Sequence, residues 1–580
     1  MKFRAAELAA LLLLLAFTAL SPCRGLGAAP DPGPEAVAPD GGAQISVDPA
    51  YRPESPIRYA TEAGSTYIAM DSWIYPALDR LSSLGYLDTA YFGLRPWTRL
   101  SVEHMLEQTA DKVQENGSEE AQSIYLAVER EVGGDLALNR PRVELDSVYA
   151  RGLEISGSDP ITNSFEFGQT VINDEGRPYA QGFNGITGLH ARAEAGRFSL
   201  NVRGEYQHAG GYAPLSISDQ AFIGSGVRLT ALTPVEVNGV GSRNYFRLID
   251  ANFSVHTLHH EISVGKSEMV WGPGQGGGFL FSTNAEPLYT LRLNMVDPVR
   301  IPFLSRFLGP MRWDHYFGDL KGHVEPREPW IFGDKVSFHP TSDLEIGFSR
   351  SCTFAGKGYS VLTFGTFFKC FISTGDFTQA GQRRLDVGDR RADFDFRWRL
   401  PHLQKAVTLY ADSDADDDPS PLANPTRSAW GPGIYFSHLP GLQKVDLRLE
   451  APSSNLPSSD ASGLTYANHG YRDGFTNKGF VMGNWIGRES SGFQGWLTYW
   501  ITPKEDLQIE YRDVKLSRHQ WANGGTQTDI SARLVKRLTP DVELNARFQW
   551  ERYWIPDFKP GIQHDYSTLF QVTWFSKLAK

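Results

Sequence analysis

Three cysteines in a chain of 580 residues are too few to staple a fold or to build a cysteine-ligated metal site. After the N-terminal segment, no stretch offers the ~20 apolar residues that a spanning helix requires, which excludes a helical membrane protein. There is no basic tract either: 56 Lys and Arg stand against 67 Asp and Glu, a net charge of −11. Nucleic-acid binding depends on clustered cations, so nucleic acid is not an expected partner. The glycine-rich run Trp271 to Gly278 lacks the Lys-Ser/Thr ending and the following helix of a phosphate loop.

What the chain has instead is alternation. From Tyr566 to Trp574, Tyr566, Thr568, Phe570, Val572 and Trp574 share one face, and the chain stops a few residues later, as an outer-membrane β-barrel ends. A barrel strand needs about 9–11 residues with apolar side chains toward lipid and polar ones toward the lumen. Val542, Leu544, Ala546, Phe548 and Trp550 interleave with Glu543, Asn545, Arg547, Gln549 and Glu551 in the same way. So do Phe394, Phe396, Trp398 and Leu400 with Asp393, Asp395, Arg397 and Arg399. A soluble β-sandwich shows the same period. The N-terminus separates the two: Lys2 and Arg4 precede an apolar core from Leu8 to Leu20 and then Gly25, Gly27, Ala28 and Ala29. Residues 1–28 are expected to be a cleavable export signal. Cys23 stands near a lipoprotein-like position, but Pro22 directly before it argues against lipidation. Aromatic content of 12% and 57 glycines, with a negative mean hydropathy, suit a chain in which every second strand residue faces water.

Residues 29–64, rich in Pro, Gly, Ala and Asp, are expected to form a flexible leader. Helical spacing predicts a helix from Asp71, read as its cap, to Leu84, a second from Thr98 to Val113 and a third from Ser118 to about Val132. Together they predict a small helical bundle over 65–140. From 141 to 576 the chain reads as a transmembrane antiparallel β-barrel. Matched turn texts recur: Ile501-Thr502-Pro503-Lys504 with Leu538-Thr539-Pro540-Asp541, and Leu400-Pro401-His402-Leu403-Gln404-Lys405 with Leu439-Pro440-Gly441-Leu442-Gln443-Lys444. Proline removes a ladder donor and belongs in such turns, which are expected on the periplasmic side. Asp412 to Ala429, Pro452 to Thr476 and Ala209 to Arg243 are the expected outer loops. Roughly 24 residues per strand and connection give roughly 18 strands.

The text from Met70-Asp71-Ser72-Trp73-Ile74-Tyr75-Pro76-Ala77-Leu78 to Arg95-Pro96-Trp97-Thr98-Arg99 resembles the capsule assembly protein Wzi family. Further matches are Val264-Gly265-Lys266-Ser267 with Trp271-Gly272-Pro273-Gly274 and Ser282-Thr283-Asn284-Ala285, and the stretch Tyr466 to Gly487 containing Tyr471-Arg472-Asp473-Gly474-Phe475. The resemblance implies an 18-stranded outer-membrane barrel with a periplasmic helical bundle, acting as a surface lectin that attaches capsular polysaccharide. Its partners would be that polysaccharide, outer-membrane lipid and the barrel assembly machinery that receives the last strand. Trp73 to Val113 also resembles a single S-layer homology repeat, which would imply cell-wall binding.

Candidate chemistry is sparse. Trp271 beside a Pro/Gly turn, Asn284 and Tyr471 are the candidate sugar-binding residues at the outer mouth, by ring stacking and hydrogen bonding; the competing expectation for Trp271 to Gly278 is a tight loop folded into the lumen. Asp412, Asp414, Asp416, Asp417 and Asp418 offer oxygen ligands but lack the glycine and terminal glutamate of an EF-hand, so a solvated acidic loop is expected and no metal. Ser254, His256, His259, His260 and Glu261 do not assemble a nucleophile, base and orienting group, so neither a catalytic residue nor a cofactor is expected. Cys352 and Cys370 remain after the signal; pairing and free thiols are both open. The expectation is a non-enzymatic polysaccharide-binding barrel, with a diffusion porin and a barrel hydrolase as rivals.

Overall fold

The computed structural model describes residues 63–576, apart from 134–140, 212–216, 218–240, 360–362, 373–387, 404–405, 459–462, 464 and 469. The expected signal with Cys23, nearly all of the leader and most of the loop Ala209 to Arg243 lie outside the described residues. Eighteen antiparallel strands close into one barrel. They are β1 (Arg142–Gly157), β2 (Gly182–Ala195), β3 (Phe198–Ala209), β4 (Arg243–Thr257), β5 (His260–Lys266), β6 (Tyr289–Met295), β7 (Met311–Asp319), β8 (Trp330–Thr341) and β9 (Leu344–Phe354). β10 (Asp389–Arg399), β11 (Val407–Asp416), β12 (Ser428–Phe436), β13 (Val445–Glu450), β14 (Ser490–Thr502), β15 (Glu505–Leu516), β16 (Gly525–Thr539), β17 (Val542–Trp554) and β18 (Gln563–Phe575) complete it. Each strand pairs with its neighbour in sequence, and β18 pairs back onto β1 from Ser147 opposite Phe575 to Gly157 opposite Asp565. That last ladder removes both sheet edges.

The alternation sorts as its chemistry demands. Phe548, Tyr566, Phe570, Val572 and Trp574 face outward, while Gln549, Glu551 and Asp565 are buried inside. Connections at one end are short apart from 296–310: Pro503–Lys504 joins β14 to β15, and Pro540–Asp541 joins β16 to β17. The matched Leu400 and Leu439 texts turn at the same end, with 404–405 outside the described residues. At the opposite end 158–181, 267–288 and the described residues of 451–489 fold into the lumen, where their apolar residues form one core. Two expectations are corrected here. Asp412 to Asp416 belong to β11 and Ser428–Ala429 to β12, so that loop spans only 417–427; Pro452 to Thr476 lies within an inward-folded connection. Cys352 of β9 is joined by a disulfide to Cys370 of the helix Phe364–Ile372, their Cα atoms 6.2 Å apart.

Before the barrel come α1 (Ile74–Ser83), α2 (Arg99–Asn116) and α3 (Glu119–Val132). Thr98 caps α2, its hydroxyl accepting from Ser101 N at 3.1 Å, and Ser118 caps α3 through Ala121 N at 3.2 Å. Asp71 is not the cap of α1. That helix starts three residues later without a side-chain cap, because the Asp71 carboxylate pairs with Arg203 on the barrel wall at 2.6 Å. Ile74, Leu78 and Leu81 pack with Val102 and Leu106 of α2 and Ile124 and Val128 of α3.

This helical layer docks on the short-turn end through ions. The wholly buried Arg80 donates to Gln443 O at 2.7 Å and pairs with Glu120 at 2.6 Å and with Asp446 at 3.5 Å. Arg397 meets Asp79 at 2.7 Å, Arg399 meets Asp88 at 2.6 Å and Lys504 meets Glu131 at 2.7 Å. On α2, His104 Nδ1 lies 3.0 Å from Asp297 in the β6–β7 connection. Burial works against charging His104, but the hydrogen bond and charge of Asp297 outweigh it and raise its pKa. Asp297 is correspondingly held below the usual carboxylate range: burial opposes, and His104 dominates.

Two outcomes follow. Phe548, 49% exposed on the outer face at the middle of β17, should not tolerate arginine: Phe548→Arg should cost about 2–4 kcal/mol if the site lies near the bilayer midplane, whereas Arg547→Phe on the inner face should cost less. Equal loss of refolding into lipid vesicles for the two variants would reverse the face assignment. The raised His104 value means that its link stabilises docking below the ordinary imidazole pKa and is lost as pH climbs through the raised one. The depressed Asp297 value means that its share is lost as pH falls through the depressed one. The melting difference between the parent and His104→Gln should therefore be greatest near about pH 6 and shrink on both sides; a pH-independent difference would remove the ion pair from the docking energy.

Candidate functional site

The connection 267–288 enters the lumen directly after β5. Val270–Trp271 form a two-residue ladder with Leu94–Arg95 of the N-terminal segment, and Gly272 N donates to Gly93 O at 2.9 Å. Gly272 has φ +118°, and a Cβ there would sit 2.9 Å from the Asp412 carboxylate, so glycine is required on both counts. Gln275 N and Gly276 N then donate to Glu450 of β13 at 2.7 and 3.0 Å. A carboxylate from the wall thus receives two consecutive amides of a loop that has no sheet partner at that point.

Of the three candidate sugar contacts, none is at the surface. Trp271 is 0% exposed: its indole donates to Asp314 Oδ2 at 3.3 Å, and its ring meets Phe281 and Tyr316 edge-on, with centroids 5.2 and 5.5 Å away. Asn284 donates to Val481 O at 3.1 Å and accepts from Asn173 N at 3.2 Å, so it joins all three inward connections. Tyr471 is also buried, with its hydroxyl donating to Ala355 O at 3.3 Å and its ring beside Tyr359. The expectation that they present faces and donors at the mouth is corrected: the tight luminal loop prevails, because apolar rings in a closed barrel lower their free energy by packing on one another rather than by meeting water.

Residues unmarked in the sequence reading do comparable work. Tyr466 donates to Phe279 O and accepts from Asn484 N, both at 2.8 Å. Arginines of the wall lie over loop rings: Arg391 is 4.9 Å from the Tyr466 centroid while paired with Asp414, and Arg512 is 5.1 Å from Trp485 while paired with Asp529. Each guanidinium so placed meets both a carboxylate and a π-face. Asp412, Asp414 and Asp416 alternate onto the luminal side of β11, Asp417 pairs with Arg390 at 3.1 Å, and Asp418 pairs with Arg427 at 2.9 Å. The run is therefore not a solvated acidic loop.

Ser254 and His256 share the inner face of β4, and each bonds Glu261, at 2.6 and 3.1 Å, instead of the other. His259 lies in the β4–β5 turn, 3.6 Å from Asp297, while His260 points outward against Trp313. Asp297, which gathers His104 and His259, was not marked in the sequence because its partners lie far from it along the chain. Between the inward loops and the helices is a chamber of about 960 Å³, lined among others by Arg95, Arg203, Arg448, Trp73 and Trp500. Carboxylates line it as well, among them Asp71, which pairs with Arg203 at 2.6 Å, so the lining is mixed in charge and suits water and polyhydroxylic groups.

Residues 151–568 match the family described as "Capsule assembly protein Wzi". A Klebsiella pneumoniae protein described as "Uncharacterized 55.8 kDa protein in cps region" is 25% identical over 213 residues, which are 36% of this chain. The chain spans only 40% of that relative's length in the match. The solved Wzi of Escherichia coli, described as an outer membrane protein involved in group 1 capsule assembly and a carbohydrate-binding β-barrel, superposes with a TM-score of 0.64 at 17% identity. That superposition covers 87% of this chain and 99% of the other. The architecture is thus that of an outer-membrane β-barrel. Pseudomonas aeruginosa OccK7 reaches a TM-score of 0.40 at 9% identity, over 74% of this chain and 98% of its own, a likeness too distant to bear on this lumen.

The packing generates a graded outcome. Trp271→Ala opens a void among Phe281 and Tyr316 and should cost about 3–5 kcal/mol, whereas Tyr471→Phe gives up one hydrogen bond to Ala355 O and should cost about 1 kcal/mol. Denaturant titration of the protein in detergent checks both; equal, negligible losses would mean that these connections do not pack as one core.

Proposed function

Because the chain belongs to the capsule assembly protein Wzi family, we propose that it binds and anchors capsular or other surface polysaccharide at the cell surface as a non-enzymatic lectin. The observation that carries this reading is the packed layer made by 158–181, 267–288 and 451–489 at the long-loop end of the barrel. A diffusion channel gains from an open lumen, whereas a lectin gains from a rigid platform, since ordering a mobile loop on binding subtracts from affinity. In this arrangement the long-loop end faces the outside and the helical layer lies in the periplasm. Trp271, Asn284 and Tyr471 act as positioning residues that hold the platform from beneath, and the sugar meets polar and aromatic groups on its outer side.

Deletion of the protein from an encapsulated host should release capsule into the medium, and the parent chain should restore attachment. Trp271→Ala and Asn284→Ala should reduce retention in proportion to their loss of melting temperature while still reaching the surface. Unchanged retention in the deletion strain would remove the lectin reading. Steady single-channel conductance of the purified protein in planar bilayers, together with that result, would put the porin in its place.

A further inference from the structure

Inside the wall where β10 and β11 run together, three carboxylates converge. One oxygen from each of Asp393, Asp395 and Asp412 lies within 4.8 Å of the other two, and the three side chains belong to residues that are 2%, 1% and 3% exposed. Register explains the meeting: Asp393 stands opposite Asp414, which sets Asp412 two residues along the same inner face, beside Asp395. Some of their oxygens are satisfied. Asp395 pairs with Lys335 of β8, Asp412 accepts from Phe279 N, and Asp393 accepts from the Ser349 hydroxyl at 3.4 Å. Among the described residues no N–H or O–H group donates to Asp393 Oδ1, Asp395 Oδ1 or Asp412 Oδ1.

Two of those unpartnered oxygens point at one spot. A Cβ on Gly93 would lie 2.5 Å from Asp395 Oδ1, and one on Gly272 would lie 2.9 Å from Asp412 Oδ1; Gly93 and Gly272 are hydrogen-bonded to each other. Asp395 and Asp412 therefore lie against the crossing of the N-terminal segment with the inward loop, at positions where only glycine leaves them room. Were all three carboxylates ionised, the one lysine would leave a charge of −2 in a dry place, and burying uncompensated charge is strongly unfavourable. Glu345 and Arg95 flank the cluster with opposite signs and do not change that balance. A divalent cation cancels it. The donors are all oxygens, without the sulfur or imidazole that zinc and copper favour, and Ca²⁺ takes oxygen ligands at about 2.3–2.6 Å in flexible geometry.

We propose that Asp393, Asp395 and Asp412 hold a Ca²⁺ ion inside the barrel wall, fastening the inward loop and the N-terminal segment to β10 and β11. The site differs from the acidic run of the sequence, sharing only Asp412 with it, and it does not depend on what the outer surface binds.

The test uses the whole protein, refolded in lipopolysaccharide-free detergent, stripped with EGTA and titrated calorimetrically with CaCl₂ and, separately, MgCl₂. The expected result is one Ca²⁺ per chain, a higher melting temperature with the ion, and Mg²⁺ binding weaker by about tenfold or more. Asp393→Asn with Asp412→Asn should abolish the heat and the melting shift, while Asp418→Asn on the outer connection should keep both. If the double variant does not fold, the parent titration decides alone. Absence of binding at millimolar Ca²⁺, or equal binding by a folded double variant, would overturn the proposal. A parent that ignores Ca²⁺ and a double variant that melts higher would show instead that the carboxylates share protons.

Discussion

Hydrocarbon offers backbone amides no partner, and the ladder between β1 and β18 is what satisfies that constraint here. Without it Ser147 to Gly157 and Asp565 to Phe575 would each leave a row of unpaired groups, at several kcal/mol apiece in lipid. Closure has a consequence inside. A period of two that places Phe548 and Phe570 outward necessarily places Gln549, Glu551 and Asp565 inward, so an eighteen-stranded barrel acquires a lumen lined with charge. That lining must be hydrated or paired.

This chain pairs it over much of the described lumen. Arg391 with Asp414, Arg512 with Asp529 and Arg292 with Asp314 are all fully buried ion pairs in the wall. Buried pairs of this kind add little net stability relative to apolar replacements, but removing one partner is severely unfavourable, so their value lies in position. The same logic operates at both ends. Wall arginines at the short-turn end select Asp79 and Asp88 of the helical segment, and those higher in the lumen lie under Tyr466 and Trp485 of the inward connections. Wall arginines are therefore the device that holds both, the loops by meeting a carboxylate and a ring together and the helices by meeting carboxylates.

That device also explains what was legible in the sequence. Local signals were: the alternation of β17 and β18, the proline turns at 503 and 540, and the hydroxyl caps Thr98 and Ser118, each of which depends on neighbours within a few residues. The cap assigned to Asp71 failed because its partner, Arg203, is 132 residues away. The acidic run failed for a related reason. Asp412 to Asp416 looks like a polar loop by composition, yet its period of two is that of a strand whose inner face is charged, and only the arginine of the neighbouring strand reveals it. Trp271 and Tyr471 have the residue type and glycine-rich setting of sugar contacts, but whether a loop lies over a barrel or inside it is decided by distant carboxylates such as Glu450.

Filling the lumen in this way gives the long-loop end of the barrel a fixed shape. Loops 267–288 and 451–489 are anchored to opposite parts of the wall and to each other, Ser282 N to Met482 O at 2.8 Å and Asn484 to Gly277 O at 2.7 Å, so the layer they form has few independent motions. A long, flexible glycan loses conformational freedom wherever it is held, and a protein surface that is already ordered adds the least further loss. Carboxylates of the polar wall such as Glu450 anchor the apolar layer that the inward connections form. In this fold, then, the charges facing inward are the framework on which the outer surface is built.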